Sequence, residues 1–124
     1  MGHFATYGKY QSISLEGEAA YEELYTRLAR WTSEAIELEQ EGNHSDAEAK
    51  LDRCIEILGY MDRGIDMSRS RDIALGIMSL HRFAVTELVK AKGECAIAQL
   101  EPLIKIFVSL ADIFSAIRAG QVKS

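Results

Sequence analysis

Hydrophobic residues recur three and four positions apart in four successive segments of the chain. Members of each row share one face of an α-helix, whereas a half-buried β-strand would need strict alternation. The rows are Tyr21, Leu24, Leu28, Trp31, Ala35 and Leu38; Ala47, Leu51, Cys54, Leu58, Met61 and Ile65; Ile73, Ile77, Leu80, Ala84 and Leu88; and Leu100, Leu103, Phe107, Leu110, Phe114 and Ile117. One apolar stripe per helix predicts an all-α fold, an antiparallel four-helix bundle.

Turn and capping residues separate these segments. Gly42 follows the first row, where a left-handed residue often ends a helix, and Ser45 to Glu48 has the spacing of a capping box that starts the second helix. Gly93, which follows Lys90 and Lys92, is expected to end the third helix. These signals place the helices at about 15–41, 45–64, 69–92 and 96–119, within a bundle of residues 14–120.

The two ends of the chain and its only proline complete the predicted organisation. Residues 1–13 lack helical spacing and predict an extended N-terminal arm, and residues 121–124 predict a short tail. Pro102 has no amide donor and fits only the first turn of a helix without cost. The fourth helix is therefore expected to start near Leu100 or to bend there, after a short helical stub.

Length and charge narrow the classes of protein that the chain can represent. A chain of 124 residues fits one domain, which can bury a sufficient core without disulfides or a metal. The formal net charge is -5, and the first helix is rich in glutamate. Binding to a nucleic-acid backbone selects for clustered lysine and arginine, so no nucleic-acid partner is expected.

Cysteine usage and hydropathy indicate a cytosolic protein. Cys54 and Cys95 stand at or near apolar helical positions, which predicts buried thiols in a reducing compartment instead of a disulfide. No secretion signal precedes the bundle. The most apolar stretch, residues 97–117, contains Glu101, Pro102, Lys105 and Asp112, so no membrane insertion is expected.

Residues that could carry chemistry are few. His3, His44 and His81 are scattered over an arm, a loop and a helix, and the positions predicted to face inward are nearly all apolar, so neither a metal nor another cofactor is expected. Some small helical bundles transfer phosphoryl groups through one exposed histidine, which makes His81 an alternative site. Its neighbours Arg82 and Phe83 leave less room there than the small residue usual in such domains. The chain is therefore not expected to be an enzyme.

The fourth segment carries more apolar residues than one bundle face can cover. Ile104, Ile106, Val108, Ala111 and Ile113 widen the apolar arc beyond the row itself. Three interpretations remain open at this point: a central buried helix, a face for self-association, or a groove for an amphipathic segment of another protein.

Several short motifs resemble those of the flagellar secretion chaperones, the FliS family. Glu23 to Trp31 is similar to the Leu-Tyr-x-x-Ala/Leu-x-x-aromatic signature of that family's first long helix. Leu58 to Asp62 resembles its Leu-x-x-x-Leu-Asp, with Met61 in place of the second leucine, and Ile73 to His81 resembles its Ile-Ala-x-x-Leu-x-x-Leu-Tyr. Two shorter matches are Glu87 to Ala91 and the pair Tyr10 and Gln11.

This resemblance spans about residues 10 to 118 and implies a cytosolic export chaperone. Such a protein binds the disordered C-terminal segment of flagellin, prevents premature filament assembly and presents the subunit to the type III flagellar export apparatus, without catalysing a reaction. A chaperone for a hook-associated or cap protein is an alternative with the same architecture. A co-chaperone and a second copy of the chain, in a homodimer, are further candidate partners.

The matching motifs and the rows beside them supply the candidate partner-binding residues, with the alternative that the aliphatic ones are only core. Tyr25 and His81 follow Leu24 and Leu80, so their polar tips are expected at the boundary of the bundle. A further hypothesis is that the arm around Tyr10 covers part of the groove until flagellin displaces it. The candidates are Tyr10, Gln11, Leu24, Tyr25, Leu28, Leu58, Met61, Leu80, His81 and Phe107.

Overall fold

Four α-helices and one short 3₁₀ helix make up the described part of the chain. The computed structural model describes residues 17–65 and 71–120, so the predicted arm and tail lie outside it. Helix α1 spans Glu18–Gln40, α2 spans His44–Arg63, α3 spans Arg71–Glu94 and α4 spans Glu101–Arg118, with the 3₁₀ helix at Ile97–Leu100. Pro102 lies in the first turn of α4, directly after the expected stub. The prediction of an all-α four-helix bundle is confirmed.

The helices pack in the order α4, α1, α2 and α3. The α1–α4 contact is the most extensive, followed by α1–α2 and α2–α3, whereas the backbones of α3 and α4 hardly approach each other within the described residues. Ion pairs connect the beginning of one helix with the end of its neighbour: Arg118 with Glu22 at 2.6 Å, Lys50 with Glu34 at 2.9 Å, and Lys92 with Asp52. Neighbouring helices are therefore antiparallel.

Three of the four predicted rows form the core, and the third is out of phase. In α3 the buried row is Ala74, Ile77, His81, Ala84, Leu88 and Ala91. Ile73 and Leu80, which the sequence placed in the core row, are each 38 % exposed. Periodicity alone did not fix the phase because α3 carries large apolar residues on several sides, while alanines occupy its closest contacts.

The end of α1 confirms one capping prediction, and the start of α2 contradicts another. Gly42 adopts φ 86°, its N–H donates to the Glu39 carbonyl at 3.0 Å, and the Asn43 N–H donates to the Leu38 carbonyl at 2.8 Å. These bonds form a Schellman motif. The turn leads directly into α2, whose N-cap is Asn43 without a side-chain capping bond, so the capping box predicted at Ser45 is wrong.

Cys95, and not Gly93, ends α3. Gly93 lies inside the helix, and Cys95 adopts the left-handed conformation with φ 54°. The Cys95 N–H donates to the Lys92 carbonyl at 3.3 Å, and the Ala96 N–H donates to the Ala91 carbonyl at 2.9 Å, again as in a Schellman motif. Cys95 is exposed, so the expectation of a buried thiol holds for Cys54 alone.

Replacing Cys95 with glycine is expected to stabilise the protein by about 0.5–1 kcal/mol, measured by urea denaturation. The left-handed conformation costs a residue with a Cβ atom about 1–2 kcal/mol, which the greater flexibility of unfolded glycine partly offsets. The matched control is Gly42→Ala, which introduces the same strain at φ 86° without any steric contact and should destabilise the protein. A Cys95→Gly variant less stable than the wild type would contradict the prediction.

The side of the bundle formed by α1 and α2 carries the only tryptophan of the chain. Trp31 on α1 is half-buried against the core, and the guanidinium of Arg53 on α2 lies 5.4 Å from the centre of its ring. This distance permits a cation–π interaction, which stabilises the contact between the two helices.

Candidate functional site

Most of the candidate partner-binding residues lie in the core. Leu80 is the one candidate in the described residues that is exposed, and Tyr10 and Gln11 lie outside them. The expectation that the polar tips of Tyr25 and His81 reach the bundle boundary is wrong, because both side chains are buried. Whether the candidates bind a partner stays a prediction. The buried ones are Leu24, Tyr25, Leu28, Leu58, Met61, His81 and Phe107.

A chain of hydrogen bonds joins α1, α2 and α3 inside the bundle. Tyr25 Oη lies 2.5 Å from His81 Nε2, and His81 Nδ1 lies 2.8 Å from Asp62 Oδ1. An ionised carboxylate only accepts hydrogen bonds, so His81 Nδ1–H donates to Asp62. In neutral His81 the other ring nitrogen then accepts a hydrogen bond from the Tyr25 hydroxyl. Sequence reasoning missed this role of Asp62, although the residue ends one of the family motifs.

Aromatic rings extend this cluster to α4. The Tyr21 hydroxyl donates to the Met61 carbonyl at 2.6 Å, and the Tyr21 and Tyr25 rings meet edge to face with centroids 6.3 Å apart. The Phe114 ring lies 5.3 Å from Tyr21 and 5.5 Å from Tyr25, measured between centroids. All four helices therefore meet at one satisfied polar and aromatic cluster, which stabilises the bundle.

Burial sets the protonation states in the cluster. Desolvation lowers the pKa of His81, and the hydrogen bond and charge of Asp62 only partly oppose this effect. Desolvation also raises the pKa of Tyr25 far above its usual range. At neutral pH the imidazole is therefore uncharged and the Tyr25 hydroxyl keeps its proton, as the hydrogen-bond directions require.

The same geometry speaks against a phosphotransfer site at His81. The side chain is 1 % exposed, and both ring nitrogens are engaged in hydrogen bonds, so an incoming phosphoryl group has no free nitrogen to reach. Burial raises the pKa of Cys54 to about 12, which keeps this thiol protonated and unreactive. Across residues 17–65 and 71–120 no cluster of metal-ligating side chains is assembled, and no helix is long and apolar enough to cross a membrane.

Stability should decrease as the pH falls below 6.5, because protonated His81 fits the core poorly. Its Nε2–H would donate to Tyr25 Oη and leave the buried hydroxyl proton without an acceptor. Since burial lowers the pKa of folded His81 below its ordinary value of 6.5, the stabilisation is complete above 6.5 and is lost toward the lower folded value. Urea denaturation of the wild type and of His81→Leu between pH 7.5 and 5.5 measures this dependence.

His44 provides the control for this measurement. Its hydrogen bond to Glu39 raises the pKa of His44, so its contribution has the opposite sign and disappears as the pH rises. The side chain is exposed, and a His44→Gln variant should therefore keep the pH dependence of the wild type. An equal loss of stability in His81→Leu at low pH would contradict the assignment to His81.

Exposed apolar surface is concentrated on α3, and not on the fourth helix as the sequence suggested. Of the seven exposed large hydrophobic residues within the described part, five lie on α3 and two on α4. The expectation of surplus apolar surface is right, but its main location is different. The seven are Ile73, Leu75, Leu80, Phe83, Val89, Val108 and Ile113.

Side-chain contacts show which edges of α3 and α4 face each other. On α3, His81 and Lys92 contact α2, and at about 100° per residue Leu80 lies on the opposite edge. On α4, Phe114 and Arg118 contact α1 in the same way. Because these helices stand at the two ends of the packing order, their remaining edges converge. We call this surface the α3–α4 face: Ile73, Leu80, Phe83, Ile106, Ile113 and Ile117.

The α3–α4 face is apolar and incompletely covered. Phe83 is 48 % exposed and Ile113 is 42 % exposed, while Ile106 and Ile117 are half-buried. The 3₁₀ helix contacts both α3 and α4 and so bounds one end of the face. Phe83 and Ile113 were not among the candidate residues, although Ile113 belongs to the surplus apolar arc noted in the sequence. A partner that covers this face needs apolar side chains.

A bundle that leaves an apolar face between two of its helices uncovered is the kind of scaffold that binds amphipathic segments of other proteins. The model of a family described as "Flagellar protein FliS" matches residues 5–121. The match covers nearly the whole chain, which therefore belongs to this family of flagellar export chaperones. Comparison with curated proteins and with solved structures found no match.

Proposed function

We propose that the protein is a cytoplasmic chaperone that binds the disordered C-terminal segment of flagellin on the α3–α4 face. Binding would prevent premature polymerisation of flagellin and present the subunit to the type III flagellar export apparatus. Membership of the FliS family supports a flagellar client, and the exposed apolar residues of the α3–α4 face, above all Phe83, support an amphipathic one.

Physical chemistry favours a client that folds as it binds. Burying apolar area contributes roughly 25 cal/mol per Å², and ordering a disordered segment costs about 2–5 kcal/mol of that gain. No charged residue belongs to the α3–α4 face, so affinity should depend weakly on salt. The role requires binding and release of a polypeptide, and no chemical step.

The proposal is tested by titrating the chaperone with full-length flagellin and with flagellin that lacks its C-terminal segment. Isothermal titration calorimetry should show binding that the truncation abolishes. Phe83→Glu and Ile113→Glu should each weaken binding at least tenfold, because each places a charge against the apolar client. Val108→Glu is the matched control, since Val108 is equally exposed on α4 but lies on its other edge.

Two results would contradict the proposal. If truncated and full-length flagellin bind equally well, the C-terminal segment is not the ligand. If Val108→Glu weakens binding as much as Ile113→Glu, the α3–α4 face is not the site. Hook-associated and cap proteins serve as competing clients in the same assay, and preferential binding of one of them would assign the chaperone to that client instead.

The predicted arm has a specific place in this proposal. Tyr10 and Gln11 would cover part of the α3–α4 face in the free protein and leave it when flagellin binds. Hydrogen exchange of the free and flagellin-bound protein should then show a change of protection through residues 4–13 on binding. Unchanged protection there would reject displacement of the arm without affecting the assignment of the face.

A further inference from the structure

A second exposed stripe runs along α3, on the edge next to α2. Its members alternate four and three positions apart over the length of the helix: Arg71, Leu75, Met78, Arg82, Val85, Val89 and Lys92. We call this the outer stripe. Leu75 is 41 % exposed and Val89 is 53 % exposed, Arg82 is exposed, and Met78 and Val85 are half-buried. The apolar members contribute little to the core and remain available to a partner.

The outer stripe is separate from the α3–α4 face. Asp72, Ser79, Thr86 and Lys90 form an exposed polar strip between the two surfaces. At about 100° per residue, Leu75 and Phe83 lie on different sides of this strip. A single helix packed against α3 cannot cover both surfaces, so the proposed flagellin site leaves the outer stripe uncovered.

The spacing of the outer stripe fits a helical partner. A repeat of four and three is the heptad spacing by which one helix packs along another, with side chains inserted between those of the neighbour. Leu75, Met78, Val85 and Val89 would supply the apolar contacts of such a pair. Arg82 stands midway between them at a core position of the repeat, where a charged residue sets register and partner choice.

Charge indicates what the partner carries. The stripe holds three cations and no carboxylate, in a chain whose net charge is -5. Lys92 is already bound to Asp52. Arg82 forms no ion pair with any residue of the described ranges, and its planar guanidinium suits a bidentate bond to a carboxylate. A second copy of the chain is a poor partner, because two-fold pairing about the centre of the stripe brings Arg82 against Arg82.

We propose that the outer stripe binds an amphipathic helix of a second protein, which carries a carboxylate opposite Arg82. Apolar contacts with Leu75 and Val89 provide the affinity, and the pairing of Arg82 with the carboxylate fixes the register and excludes helices that present a cation there. The chaperone would then carry two partners at once, one on each exposed surface of α3.

The test uses the full chain and two synthetic three-heptad helical peptides as probes. Both peptides have leucine and isoleucine at the core positions, except that one has glutamate and the other lysine at the central core position. Fluorescence anisotropy of labelled peptides should show the glutamate peptide binding at least tenfold more tightly than the lysine peptide. Arg82→Glu should reverse this preference.

A control on the same helix separates a specific pairing from a general charge effect. Lys90→Glu makes the same change of charge in the polar strip and should leave the preference for the glutamate peptide in place. Circular dichroism melting of both variants should match the wild type, because both side chains are exposed.

Several results would overturn the proposal. Equal binding of the two peptides, or an unchanged preference in Arg82→Glu, would remove the carboxylate partner. Displacement of the glutamate peptide by a C-terminal flagellin peptide would show that the stripe is part of the client site. Sedimentation of the protein as a dimer that dissociates on Leu75→Lys would assign the stripe to a second copy. None of these results depends on whether flagellin is the client.

Discussion

Replacing His81 with alanine should lower the free energy of unfolding by about 3–5 kcal/mol, measured by urea denaturation at pH 7.5. The substitution leaves a cavity among α1, α2 and α3, and deletion of a large buried side chain costs about 2–5 kcal/mol. It also leaves the buried Tyr25 hydroxyl without its acceptor, which costs about 1–3 kcal/mol where water cannot enter. The lower end of the range applies if a water molecule fills the cavity and bonds to Tyr25.

A double-mutant cycle tests whether the hydrogen bond between Tyr25 and His81 accounts for part of this loss. Tyr25→Phe should destabilise the wild type by about 1–3 kcal/mol, because it leaves His81 Nε2 unpaired. The same change should cost much less in the His81→Ala background. Costs that add without any coupling would contradict the hydrogen bond. His44→Ala, at an exposed histidine, should change stability by less than about 0.5 kcal/mol.

Phe107→Ala should also destabilise the protein by about 3–5 kcal/mol, since Phe107 is completely buried and α4 holds it in the centre of the bundle. The sequence made Phe107 a candidate for partner binding, and the structure predicts a stability defect instead. Thermal melting should show a large decrease in Tm. Any loss of flagellin binding should follow the fraction of unfolded protein.

Leu80→Ala is the informative comparison. Leu80 is exposed on the α3–α4 face, so the substitution should cost less than about 1 kcal/mol of stability. In the proposed function it should nevertheless weaken flagellin binding. A Phe107→Ala protein that folds as stably as the wild type but fails to bind would reverse the assignment of these two residues.

Sequence periodicity was sufficient for the architecture, and it failed where several registers were equally apolar. The rows of α1 and α2 have a polar opposite face, so Leu28 and Leu58 were placed in the core correctly. In α3, Leu80 and His81 exchanged places, because a stripe of leucine and isoleucine looks more core-like than one of alanine and histidine. The core position of His81 depends on Tyr25 and Asp62, which are distant in the sequence.

Local turn chemistry was predictable only in part. Gly42 is left-handed, as its position after the first row indicated, but Cys95 takes the same conformation where Gly93 was expected to. The helix continues past Gly93 because the end of α3 is set by the connection to the 3₁₀ helix, whose Ile97 and Leu100 are buried. Tertiary packing therefore outweighed the local preference for glycine.

The α3–α4 face could not be derived from the sequence alone. Its residues belong to two helices, and the packing order decides which of their edges converge. Ile113 was visible as surplus apolar surface, but Phe83 lies outside every predicted row. The family motifs indicated the kind of partner, while most of their residues, such as Leu24 and Tyr25, serve the core that holds α3 and α4 in place.

The position of Trp31 has a practical consequence for studies of this chaperone. It is the only indole in the chain, and it lies beneath Arg53 on the side of the bundle remote from α3. Its intrinsic emission will therefore report separation of α1 from α2 during unfolding and remain nearly constant when a ligand occupies α3. A spectral shift on addition of a client would reveal that the client wraps around to the opposite side.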